Sequence, residues 1–160
     1  MRRWLAQKGM ILVTGANGGL GRVLLGKIIS TTEFIEYYGV YTVRNTSSVS
    51  AIRSTLAGAP ATHHYAIEPL DLSWLGSVYA FSRAINARVL AGEIPSNRSL
   101  ILNARNNDMG KQSFAEDGFD ETFAPSYLGH WLLALMLLQS VGKESGRIAV
   151  AGSATHERAT

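Results

Sequence analysis

Apolar residues along this chain follow two patterns: short unbroken runs, and longer stretches in which they recur every three or four positions. The runs Met10-Ile11-Leu12-Val13, Leu100-Ile101-Leu102 and Ile148-Ala149-Val150 are bounded by turn residues and too short for helices. Strands look like this when helices cover both faces of a parallel sheet. Strands are predicted near 10 to 14, 39 to 44, 62 to 67, 99 to 103 and 146 to 151, and helices near 19 to 30, 47 to 57, 73 to 91 and 117 to 141. The helix over 73 to 91 places Val78, Phe81, Ile85 and Val89 along one face, behind Ser73 as an N-cap. No repeat, low-complexity tract or dividing linker interrupts the alternation, so residues 1 to 160 read as a single α/β domain.

Composition narrows the class of protein. With 46% hydrophobic and 17% charged residues the chain has enough apolar material for a core, and its formal charge of +3 is spread without a block of one sign. Neither a nucleic-acid arm nor a membrane-surface arm is expected from such a distribution. The absence of cysteine excludes disulfides, thiolate zinc sites and cysteine nucleophiles together, and a cytoplasmic setting is the simplest expectation. The apolar run after the Met1 to Lys8 tail is too short for a signal-peptide core. The most hydrophobic stretch, Leu128 to Val141, contains His130 and Gln139 and falls short of the ~20 residues of a membrane span. His63 and His64 point to opposite faces of a predicted strand with no third ligand spaced to join them, so no metal is expected.

The first strand leads into Thr14-Gly15-Ala16-Asn17-Gly18-Gly19-Leu20-Gly21-Arg22 and then into a helix. Glycines at such a turn allow positive φ and bring bare backbone against a ligand, while the new helix presents unpaired N–H groups and the positive end of its dipole. With a strand before it and a helix after it, this turn is read as a dinucleotide-phosphate site. A Walker phosphate loop is excluded, because Arg22 and Val23 follow the last glycine where Lys and Ser/Thr are required.

The spacing Thr14-Gly15-x-x-x-Gly19-x-Gly21 resembles the glycine motif of the short-chain dehydrogenase/reductase family, although Gly15, Gly18 and Gly21 also fit its extended, epimerase-like branch. In this fold the end of the second strand faces the adenosine ribose, where an acid binds the 2′-hydroxyl of NAD and a base the 2′-phosphate of NADP. No Asp or Glu occurs between Tyr37 and Ile67, and Arg44 stands at the discriminating position, which points to NADP(H). Asp71-Leu72 resembles the acidic-aliphatic pair that contacts adenine, and Asp71 equally fits a cap for the following helix. Asn103-Ala104-Arg105 resembles the Asn-Ala-Gly turn beside the cofactor, with Arg105 in place of the glycine.

The segments 117 to 123 and Tyr127-Leu128-Gly129-His130-Trp131-Leu132-Leu133 resemble the fourth-helix region of retinol-dehydrogenase-like members, of the typical single-domain branch. Ser126 stands where those relatives carry the asparagine of a proton relay. Gly146 to Ser153 resembles the fifth strand leading to the catalytic serine, which makes Ser153 the candidate that polarises a carbonyl. No Tyr-x-x-x-Lys pair follows Ser153. The resemblance, covering Met10 to His156, implies a Rossmann-type doubly wound parallel sheet in strand order 3-2-1-4-5, without the C-terminal part of the fold. It further implies that Gly15, Asn17, Gly18, Gly19, Leu20 and Gly21 line the pyrophosphate, Arg44 the 2′-phosphate, Asp71 and Leu72 the adenine, and Asn103 and Ala104 the inner cleft. The implied partners are NADP(H) and a small carbonyl or alcohol substrate, with a homo-oligomer through the 128 to 141 helix. The alternative is a catalytically inactive NADP-binding or interaction protein, or a truncated gene product.

Overall fold

The computed structural model describes residues 7–106, 112–115 and 117–153. Most of the expected N-terminal tail, and the end of the resemblance at His156, lie outside them. At the centre stands β1 (Met10–Val13), buried along its whole length. Successive strand side chains point to opposite faces, so Met10 and Leu12 enter one core cluster while Ile11 and Val13 enter another. β2 (Tyr38–Val43) and β4 (Asn97–Leu102) flank β1, β3 (Tyr65–Pro69) lies outside β2, and β5 (Arg147–Val150) lies outside β4. The sheet therefore runs β3-β2-β1-β4-β5 with every pairing parallel, the order the resemblance implied.

Helices cover the two faces separately. On one, α1 (Gly19–Ser30) contributes Leu25, Ile28 and Ile29. After the single turn α2 (Thr32–Ile35), α3 (Ser50–Leu56) adds Ile52 and Leu56 to the same cluster with Tyr41 and Val43. On the other face, α4 (Leu75–Leu90) brings Val78, Phe81 and Ile85, and α5 (Gly129–Leu137) brings Leu133 and Leu137 against Leu100 and Leu102. Burial of a Leu, Ile or Val side chain contributes about 1.5 to 3 kcal/mol, so these two layers supply most of the driving force for the fold.

Three of the boundaries that differ from the sequence expectation have a local reason. β3 starts at Tyr65 because His63 N–H closes a turn onto the Pro60 carbonyl at 2.9 Å, which leaves His63 and His64 ahead of the strand. Ser73 is not the N-cap of α4. That position falls to Trp74, while Ser73 donates its N–H (2.9 Å) and its hydroxyl (2.5 Å) to the Asp71 carboxylate. The open N–H of Leu75 is instead taken by the Asp117 carboxylate at 2.7 Å. The helix expected over 117 to 141 begins only at Ala124, because the Asp120 carboxylate accepts the N–H groups of Thr122 (2.8 Å) and Phe123 (2.9 Å) and sets the start. Its first five residues, Ala124–Leu128, form a π turn before α5.

The π turn and Gly129 together decide which side of α5 is buried. A Cβ on Gly129 would run into the Leu72 carbonyl oxygen, so only glycine lets α5 lie this close to the segment after β3. The buried residues are then Gly129, His130, Leu133 and Leu137, whereas Trp131, Leu135 and Leu138 face outward at 56%, 46% and 52% exposure. Gly129→Ala should lower the unfolding free energy by about 1 to 3 kcal/mol through overpacking. Gly26→Ala in α1, whose added methyl meets nothing within 4 Å, should raise it by up to about 1 kcal/mol by removing a mid-helix glycine. Urea denaturation of the two variants checks this; a neutral Gly129→Ala would mean that α5 does not depend on its close approach.

Candidate functional site

In an open parallel sheet the crevice lies at the carboxyl ends of the strands, where the order reverses and neighbouring connections leave in opposite directions. Here that point falls between β1 and β4. A cleft of about 1060 Å³ opens there, lined by the turns that follow all five strands. It gathers Gly15, Asn17, Gly18, Gly19, Leu20 and Gly21 after β1, Arg44 after β2, Asp71 and Leu72 after β3, Asn103 and Ala104 after β4, and Ser153 after β5. Residues up to 138 positions apart, Gly15 and Ser153, thus share one concavity.

The glycine turn is held from beneath. Ala16 N–H donates to the Thr42 carbonyl at 3.0 Å and Gly18 N–H to the Gly15 carbonyl at 3.1 Å. Gly15 has φ +65°, and a Cβ there would lie 2.8 Å from Ala104 Cα. A Cβ on Gly21 would strike the Gly15 carbonyl oxygen. Both positions therefore require glycine, one for conformation and both for space. Gly19 would meet nothing within 4 Å, so the outer side of the turn offers uncovered backbone to the cleft. Gly18 caps α1 without any side-chain cap, which leaves the start of a 12-residue helix facing the same space. Asn17 is occupied partly elsewhere: its Oδ1 accepts the Ile52 N–H at 3.2 Å and ties the turn to α3.

The inner end of the cleft is built on Thr14, which is fully buried. Its Oγ1 accepts the N–H groups of Asn103 (2.8 Å) and Ala104 (3.0 Å), and it lies 2.8 Å from His130 Nε2. The Asn103 side chain returns the contact by donating Nδ2–H to the Thr14 carbonyl at 3.0 Å. Arg105, next along, is exposed on the cleft wall, and no described non-glycine residue has positive φ. The replacement of glycine therefore strains nothing in the turn. Ser126 faces the same wall, but its hydroxyl donates to the Asn106 carbonyl at 3.2 Å and accepts the Asn106 N–H at 3.4 Å.

No protein-family model matches the chain. It is 46% identical over 154 residues to the short-chain dehydrogenase iccH of Talaromyces variabilis, an alignment covering 94% of this chain and 42% of that protein. It is 31% identical over 150 residues to the polyprenol dehydrogenase of Mus musculus, covering 91% of this chain and 42% of that protein. A metagenomic short-chain oxidoreductase solved in complex with NADP superposes with a TM-score of 0.69 at 20% identity, over 92% of this chain and 63% of that one. The chain is homologous to the short-chain dehydrogenase/reductases. It spans less than half the length of these curated relatives.

Two features of the cleft were not legible in the sequence. One is His130, read only as a polar interruption in an apolar helix, which proves to be 5% exposed and bound to Thr14. The other is the fastening of the 103 to 106 turn by Thr14 at one end and Ser126 at the other. A lone histidine in an apolar segment was the available signal for the first; nothing local signals the second.

Charge chemistry follows from this burial. Burial pushes the His130 imidazole below its ordinary value, against an opposing contact with the Ser126 backbone carbonyl. His63, bonded through Nε2 to the Tyr41 hydroxyl at 2.9 Å, is likewise pushed down by burial, and the Tyr41 phenol is pushed up by the same cause. No group of three or more metal-ligating side chains occurs among the described residues. A base held below its unfolded value stays neutral in the folded state while the unfolded chain takes up protons first. Stability is then full above the unfolded imidazole value of about 6.5 and falls as pH drops below it, levelling off once the folded imidazoles also titrate. Thermal melts between pH 7.5 and pH 5 should show a midpoint that decreases through this window; a flat profile would contradict the burial of both histidines.

Proposed function

We propose that this chain forms the NADP(H)-binding part of an oxidoreductase of the short-chain dehydrogenase/reductase type, which in the complete protein interconverts a carbonyl and an alcohol. The observation that carries this reading is the convergence of the glycine turn, Arg44, Asp71-Leu72, the Asn103-Ala104 turn and Ser153 on one cleft at the strand-order reversal. The cleft fits a dinucleotide. Its glycine turn is bare backbone at a helix start, suited to a pyrophosphate, and its length from Arg44 to Ser153 spans the ends of β2 to β5. Bound NADPH would supply the hydride. The protein's own part is to hold and orient: the backbone after β1 for the phosphates, Asn103 and Ala104 for the inner wall, and Ser153 for a hydrogen bond to the substrate oxygen.

Preference for NADP(H) rests on the charge around the end of β2. Asp71 is the only acidic residue among the described residues lining the cleft, and its Oδ1 is already bonded to Ser73. Arg44 lies exposed in the first position after β2, with no ion-pair partner among the described residues. A guanidinium suits a phosphate and does nothing for a free ribose hydroxyl that an acid could not do better. The NADP found with the metagenomic neighbour is in keeping with this.

A second reading, nucleotide binding without turnover, is favoured by Ser126. At the position of the relay asparagine, its hydroxyl closes onto Asn106 instead of opening into the cleft. Under this reading the chain binds NADPH but does not oxidise it with aldehydes or ketones; steady turnover that Ser153→Ala abolishes would refute it.

Fluorescence titration with NADPH and NADH tests the main proposal. NADPH should bind more tightly, and Arg44→Ala should remove about 1.5 to 3 kcal/mol of that binding, roughly 10- to 150-fold in affinity, with little change for NADH. Equal affinities in the unmodified chain, or an Arg44→Ala variant that keeps the preference, would overturn the NADP(H) assignment.

A further inference from the structure

The proton inventory of Thr14 leaves one arrangement open. A threonine hydroxyl has one hydrogen and two acceptor lone pairs. The N–H groups of Asn103 and Ala104, at 2.8 and 3.0 Å, can only donate and so occupy both lone pairs. The hydroxyl hydrogen must go elsewhere. Two acceptors are in reach, the Ile101 carbonyl at 3.4 Å and His130 Nε2 at 2.8 Å. The shorter contact lies within the usual O–H···N range and the longer at the edge of bonding. His130 Nε2 therefore accepts, which requires it to carry no proton, and the ring hydrogen sits on Nδ1 on the side of the Ser126 carbonyl.

We propose that His130 is a positioning residue of the cofactor cleft: held neutral with Nδ1 protonated, it accepts the Thr14 hydroxyl and thereby fixes Thr14 as the double acceptor that sets the Asn103-Ala104 turn. The link joins α5 to the ends of β1 and β4 across 116 residues of sequence. It depends on Gly129, whose missing side chain lets α5 approach the Leu72 carbonyl and brings the next residue within reach of Thr14. Without an acceptor at position 130 the hydroxyl would have to turn to the distant Ile101 carbonyl or go unbonded, and the turn would lose a fixed anchor. The turn is tightly confined, since Ala104 lies only 2.8 Å from where a Cβ on Gly15 would be. A shift of its backbone is passed directly to the glycine turn.

The ring is shielded from charge. The cleft-lining charged groups on elements beside it are Asp71, ahead of α4, and Arg105, on the turn after β4, with Arg44 beyond the glycine turn. Its preference for the neutral form comes from burial, opposed only by the Ser126 carbonyl.

The test has two arms that do not need a cofactor and one that does. In the full 160-residue chain labelled at histidine nitrogen, long-range nitrogen-proton NMR at pH 7.5 should show His130 neutral with Nδ1 protonated; an Nε2-protonated or cationic ring would overturn the proposal. Amide hydrogen exchange of Asn103 and Ala104 should be about tenfold faster in His130→Leu, the loss expected for one well-formed hydrogen bond. His130→Gln, which restores an acceptor, should recover most of the protection. In a Thr14→Val background His130→Leu should add nothing further. Equal protection in the leucine and glutamine variants, or an undiminished leucine effect without Thr14, would reduce His130 to a packing residue and refute the positioning role. The third arm rests on the NADP(H) reading: NADPH should bind more weakly to His130→Leu than to His130→Gln. If the first two arms succeed and neither variant nor the unmodified chain binds NADPH, the cofactor assignment fails and the positioning role stands.

Discussion

Everything at the cleft depends on how a fully buried strand leaves the core. β1 is covered on both faces, so its backbone cannot turn to water for partners when it ends. Each polar group at the exit is met by another strand end. Thr14 N–H donates to the Ile101 carbonyl at 3.0 Å, the Thr14 carbonyl accepts from Asn103 at 3.0 Å, and Ala16 N–H reaches the Thr42 carbonyl at 3.0 Å. The ends of β1, β2 and β4 are thus bound into one rigid knot, and the cleft opens on its outer side. A buried threonine at the centre of that knot serves because one hydroxyl can satisfy two amides and still donate. Alanine or valine at position 14 would leave both amides without an acceptor.

Much of this was legible in the chain itself. Runs such as Met10 to Val13 can only be double-sided strands, and a glycine turn between such a strand and a helix has few other uses. The residues of the cleft could be located because the family resemblance assigns them to the turns just past the strands, where the apolar runs break. What the pattern could not show is the register of the last helix. Read as one continuous helix from 117, it carries an apolar stripe through Leu128, Trp131, Leu132, Leu135 and Met136 and a second face through Leu133 and Leu137, with nothing to say which of the two packs deepest. The Asp120 cap and the π turn over Ala124–Leu128 change the phase, and the side that packs carries Gly129, His130, Leu133 and Leu137. Hydrophobicity did not choose the buried face. A carbonyl oxygen on Leu72, against which only glycine fits, chose it.

The departures from the family pattern sort by what surrounds them. Arg105 replaces a glycine, yet the backbone there needs no glycine conformation and the side chain stands in solvent beside the cleft. Its effect is to place positive charge on the wall, not to distort it. Ser126 differs in kind. The side chain there turns back to the Asn106 backbone and fastens the turn. Asp71 shows the two readings of one residue together: it lines the cleft and also organises the entry to α4 through Ser73, so the carboxylate that faces the cleft is already used by the fold.

The cleft is graded along its length, and the grading follows from topology. At the end of β2 the chain offers a guanidinium, at the end of β1 bare backbone and a helix start, and beyond β4 and β5 neutral hydroxyl groups on Ser126 and Ser153. A doubly wound sheet forces this sequence of chemistries into a line, because each strand end contributes one turn and the turns lie side by side in strand order. An elongated ligand with a phosphate at one end and a reactive ring at the other matches such a line far better than a compact one would. Rigidity decides how well the match can be used: the knot under Thr14 fixes the middle of the line to the sheet, while α5, through Gly129 and His130, fixes its inner end to the helical layer. The cleft is therefore held by both layers of the fold, and its shape is a property of their packing more than of its own loops.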